Sequence, residues 1–129
     1  MGEENVAERK IRETVAELEK LGYTCRIKEG IDEFLASCYP SKFEVFDKDR
    51  IHKIEVILPK TENLVNVSIV SKESLDLSKV NEWIEKSPLF GRTIFVESKY
   101  YEIESKGKNA YSIAPDLAKF IINIQRKNR

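Results

Sequence analysis

Ala7, Ile11, Val15, Leu18 and Leu21 recur at helical spacing within residues 3–21, with Glu, Arg and Lys on the opposite side, so the pattern predicts an amphipathic helix that Gly22 ends as a C-cap. The period then shortens. Residues 23–28 and 34–39 predict two strands, separated by Glu29-Gly30, closed by Pro40 and placed to form a hairpin. Residues 43–46 are a third short strand candidate before the polar turn Asp47-Lys48-Asp49-Arg50. Over 51–58 the chain alternates, with Ile54, Val56 and Leu58 on one side, Lys53, Glu55 and Ile57 on the other, and Pro59 as the stop. A strand at 64–70 leads through the cap-rich cluster at 74–78 into a helix over 79–86, with Val80, Trp83 and Ile84 inward. The short apolar run at 93–96 suits a buried parallel strand with 100–103 as its neighbour. A helix opened by Pro115 carries Leu117, Phe120, Ile121 and Ile124 and runs into a basic tail.

Composition narrows this picture. A chain of 129 residues, 41% hydrophobic, predicts a single domain (1–129) with one core. Its 34% charged content, rich in Lys and Glu, matches the bias of thermophilic proteins, in which ion-pair networks lose less to desolvation. Lys plus Arg equals Asp plus Glu at 22 each, which excludes an overall positive field, so any nucleic-acid contact rests on a local patch. Cys25 and Cys38 stand in no metal-binding spacing and His52 is the only histidine, so reduced, structural cysteines are expected. With no signal-like segment at residues 1–10 and no window near the roughly 18 apolar residues of a membrane span, the expected place is the cytoplasm, with no membrane partner.

Candidate chemistry rests on three acids, Glu8 in the first helix, Asp32 before the second strand and Glu55 in the alternating strand. The segment Ile31-Asp32-Glu33-Phe34-Leu35-Ala36, followed by Ile54-Glu55-Val56-Ile57, resembles a PD-(D/E)XK nuclease core. Ala7-Glu8-Arg9 and the step from Trp83-Ile84-Glu85-Lys86 to Thr93-Ile94-Phe95-Val96 extend the likeness, which is nearest to archaeal Holliday-junction resolvases and covers roughly residues 6–104. The resemblance implies an α/β (α+β) restriction-endonuclease-like αβββαβ core with a mixed sheet and a C-terminal helix. It further implies Asp32 and Glu55 as ligands of Mg²⁺, with Glu8 helping to hold it, because hard oxygen ligands suit that ion and its bound water can be deprotonated. The family's lysine, two positions after the strand Glu, is here Ile57, and Ile31 replaces its proline. Loss of one charge-stabilising donor costs about 3–4 kcal/mol, so the implied protein binds branched or double-stranded DNA with weak or lost hydrolysis. Lys53, on the same strand face as Glu55, is the candidate substitute.

For DNA contact the candidates are Arg9, Lys10 and Arg12 on the first helix and Arg126, Lys127 and Arg129 in the tail. Solvated surface carboxylates explain the same three acids without any chemistry, since 22 acidic residues scatter widely. A second architecture also fits: helix, antiparallel strands, helix, two strands, helix resembles type III secretion chaperones, which implies a protein-binding module without catalysis. Strand direction separates the two, because a nuclease core needs 93–96 to run parallel to its partner and the chaperone-like sheet is antiparallel throughout. Either would pair as a homodimer.

Overall fold

The computed structural model of the chain describes residues 6–86, 90–97 and 99–127, with backbone alone over 90–97. The elements run α1 (Val6–Lys20), β1 (Tyr23–Glu29), β2 (Glu33–Pro40), α2 (Phe43–Asp49), β3 (Ile51–Pro59), β4 (Leu64–Ser71), α3 (Ser78–Lys86), β5 (Phe90–Glu97), β6 (Tyr100–Lys106) and α4 (Ala110–Lys127). The strands make one six-stranded sheet in the order β1-β2-β3-β4-β6-β5. This is an α+β fold with a C-terminal helix, as the sequence pattern indicates.

Its sheet is not the mixed one that a nuclease-like core implies, because every pairing is antiparallel. The segment 93–96 lies in β5, whose partner is β6, and Thr93 faces Ile103 in antiparallel register. The cause is the link between them. Only positions 98 and 99 separate the two strands, too few for the crossover that a parallel pair needs, and Lys99 adopts a left-handed φ of 78° to close the hairpin. No glycine or proline announces this turn.

Residues 43–46 form the start of α2 and not a strand. Phe43 and Phe46 fall one helical turn apart, and the helix ends at Arg50, whose φ of 60° lets its N–H bond the Phe46 carbonyl at 2.6 Å. The preceding chain is fixed by Gly22 with φ +102°, where an added Cβ would come within 2.7 Å of Val45. Helix α4 starts at Ala110, so Pro115 lies inside it and does not open it.

One face of the sheet carries the core. Phe34, Ala36 and Cys38 of β2, Ile54, Val56 and Leu58 of β3, Val65, Val67 and Ile69 of β4 and Ile103 of β6 are buried there with the apolar sides of α1, α3 and α4 in one cluster. Trp83 of α3 stacks on Phe120 of α4 with centroids 5.5 Å apart, a packing role for that tryptophan. The hairpin β1-β2 puts Cys25 directly opposite Cys38, and the two form a disulfide with Cα atoms 4.1 Å apart. The expectation of reduced cysteines is therefore corrected. No described helix is long and apolar enough to cross a membrane.

Candidate functional site

The structure does not bring the three acids together. Asp32 sits exposed in the β1-β2 turn, where its carbonyl accepts the Lys60 N–H at 2.8 Å. Glu55 lies five residues from Lys60 along β3, a separation of roughly 16 Å at about 3.3 Å per residue. Glu8 belongs to α1 on the far side of the sheet and pairs with Arg12 at 3.5 Å. Asp32 and Glu55 thus do not share a cation, and no three His, Cys, Asp or Glu side chains cluster to hold one among the described residues. The residues present do not fit the Mg²⁺ site that the nuclease resemblance implies.

What surrounds Glu55 is different chemistry. Its carboxylate accepts the Ser37 hydroxyl at 3.0 Å and pairs with Lys53 at 3.0 Å. The hydrogen bond to Glu55, and its charge, raise the pKa of Lys53, so this ammonium stays protonated and is no general base. Its charge also lies 5.9 Å from the Tyr39 ring centroid. Ser37, Tyr39, Lys53 and Glu55, with Arg26 and Lys28 of β1, wall a shallow hollow of about 230 Å³ on the face of the sheet that no described helix covers.

Beyond Tyr39 the surface turns aromatic. Tyr39, Pro40, Lys42, Phe43, Phe46 and His52 line a second hollow of about 330 Å³ at the α2 end of the sheet. Phe43 is 71% exposed. Phe46 stands 6.2 Å from Phe43 and 4.8 Å from His52, centroid to centroid, and Lys72 lies 5.8 Å from the Phe46 ring. His52 therefore packs on an aromatic wall at the start of β3.

Compared with known proteins, the chain matches no family model, no curated protein and no solved structure. The functional reading rests on these side chains alone.

The expected DNA contacts are mostly engaged elsewhere. Arg9 and Lys10 both pair with Glu13, at 3.7 and 3.0 Å, and Arg12 with Glu8, so the first-helix patch is largely self-neutralised. Arg126 is a structural residue: its guanidinium donates to both oxygens of Asp49, at 2.7 and 3.0 Å, and to the Leu21 carbonyl at 2.5 Å. Asp49 is wholly buried and also accepts the Tyr23 hydroxyl at 2.7 Å. A buried carboxylate needs such partners, and this triad ties α4 to α2 and β1. Lys127 is exposed, and Arg129 lies outside the described residues.

Sequence reasoning passed over Asp49, the Phe43-Phe46 pair, Arg26 and Lys28. The i,i+3 aromatic spacing was the available signal for the second of these. For the disulfide the signal was symmetry, since Cys25 and Cys38 stand at equal distance from the Gly30–Glu33 turn.

Proposed function

We propose that the chain is a small, non-catalytic protein-binding module of chaperone-like arrangement, which seats an aromatic or aliphatic side chain of a partner protein in the hollow beside α2. The observation that carries this is the exposed Phe43, held open beside Phe46, His52 and Tyr39. An apolar side chain left in water next to other rings is stabilised by being covered, and aromatic anchors of this kind are where binding energy concentrates once a partner encloses them. The antiparallel sheet, with two strands between α3 and α4, supports the chaperone-like reading over the nuclease one. So does the distance between Asp32 and Glu55. The same proposal keeps the chain in the cytoplasm of an organism from a hot environment, where intracellular disulfides persist and Lys- and Glu-rich surfaces are common.

A random-peptide display selection against the purified chain tests it. The expected outcome is enrichment of peptides with a bulky apolar anchor, whose binding falls at least about tenfold in Phe43→Ser, the size of one lost hot-spot contact. Binders indifferent to Phe43→Ser overturn the reading. So does metal-dependent cleavage of a four-way DNA junction, or salt-sensitive binding of that junction with no peptide selected.

A further inference from the structure

The uncovered face of the sheet is arranged so that it complements itself. Its side chains fall into rows across the strands, read from the register. One row runs Arg26, Ser37, Glu55, Ser68, Glu102, and the next runs Lys28, Leu35, Ile57, Asn66, Glu104. Each starts with a cation on β1 and reaches an anion on β6, beyond which β5 places Ile94 beside Glu102 and Arg92 beside Glu104. Between the cation and the anion lie uncharged side chains and Glu55, which carries its own counter-ion in Lys53 at 3.0 Å. Arg26 and Lys28 are exposed and make no ion pair among the described residues.

We propose that this face is the interface of a homodimer, two copies packing face to face about a two-fold axis that lies along β3. The charges of the outer strands select that axis, on which Glu55 meets its own copy with Lys53 as the counter-ion in each. Over the five strands β1-β2-β3-β4-β6, a two-fold parallel to the strands lays β1 of one copy on β6 of the other and keeps the rows level. Arg26 then meets Glu102 of the second copy and Lys28 meets Glu104, each twice by symmetry. A two-fold at right angles to the strands would lay β1 on β1, cation on cation, and is disfavoured.

A further observation falls on the same axis. Tyr39 and Val70 are the large apolar side chains of this face with marked exposure, 47% and 36%. They sit in one row, on β2 and β4, the strands flanking the axis, so each covers the other across the interface.

The size of the face sets the strength. Five strands at about 4.8 Å by four rows at about 6.7 Å make roughly 600 Å² per copy, less than the roughly 800 Å² of a standard interface. The dimer is therefore weak, exchanging and salt-sensitive. It shares Tyr39 with the Phe43 hollow but uses none of Phe43, Phe46 and His52.

Sedimentation equilibrium of the intact chain at low and high salt, up to millimolar concentration, reads the association directly. The expected result is a monomer–dimer equilibrium that weakens with added salt. Arg26→Glu and Glu102→Arg should each weaken it by at least about tenfold, because each places like charges together twice, and the double variant should regain it. Glu102 is the cleaner position, since Glu104 stands opposite Arg92 in register. These are surface changes whose folding is checked by circular dichroism, and Tyr39→Ser gives an independent probe that should also weaken pairing. A monomer at every concentration overturns the proposal. So does a dimer that ignores Arg26→Glu, or one lost in both single variants and not regained in the double.

Discussion

Val56 and Ile57 are neighbours on β3, yet Val56 is wholly buried against the helices while Ile57 on the opposite face is only half-buried. The covered face is filled by apolar side chains from β2, β3, β4 and β6 that form one cluster with α1, α3 and α4. On the uncovered face, Ser37, Asn66, Ser68 and charged groups alternate with Leu35 and Ile57 in the same strands. The covered face holds the fold together, and the other is free to carry specificity. A polar residue is destabilising on the first and nearly neutral on the second. The Asp49 triad is the exception on the covered side, a charge kept there by Arg126 and Tyr23.

The largest expected effect breaks the contrast at its core: Ile54→Ala should cost about 4 kcal/mol, since it opens a cavity in a wholly buried site. Ile57→Ala should cost about 1 kcal/mol or less, because water already reaches that side chain. Urea denaturation of both variants measures the difference, and equal losses would show that the two faces are not distinct. Next, Asp49→Ala should cost about 3 kcal/mol, because it leaves the Arg126 guanidinium with the Leu21 carbonyl alone and takes the acceptor from the Tyr23 hydroxyl.

Reducing the Cys25–Cys38 bond, which closes a hairpin of sequence separation 13, should cost about 2–3 kcal/mol. At this chain length the fall in Tm is on the order of 10 °C. Calorimetry with and without a reductant checks it, and an unchanged Tm in which thiol titration finds free cysteines would refute the bridge.

A smaller effect lies in alkali. Burial first, and then the hydrogen bond it donates to Asp49, raise the pKa of the Tyr23 phenol well above its ordinary value. A group whose folded pKa is raised contributes stability that is complete below its unfolded pKa of about 10 and is lost as the pH climbs toward the folded one. Stability should therefore decline above about pH 10, and Tyr23→Phe should flatten the decline while costing about 1 kcal/mol at neutral pH. The smallest change is Ile57→Lys, expected within about 0.5 kcal/mol of the parent. It should bring no cleavage of junction DNA, because Asp32 and Glu55 stand too far apart to share a metal.

Much of this molecule was legible in the residues. The period-two alternation of β3 fixed which side chains enter the core, and the helical spacing of Ala7, Ile11, Val15 and Leu18 did the same for α1, because side-chain direction follows the local backbone. Element order was equally readable, apart from α2, where the aromatic spacing of Phe43 and Phe46 resembled a strand as much as a helix over so short a run. Two strand partnerships were legible as well, β1 with β2 and β5 with β6. The direction of the second was not, because it depends on a two-residue turn without glycine or proline, which no single segment announces. The fate of the charges was equally hidden. Glu55 and Asp32 read as a pair in sequence and fall far apart along β2 and β3, while Asp49 and Arg126, 77 residues apart in the chain, meet in the interior. Local pattern determines which face a side chain takes; only the closing of distant segments upon one another determines whom it meets.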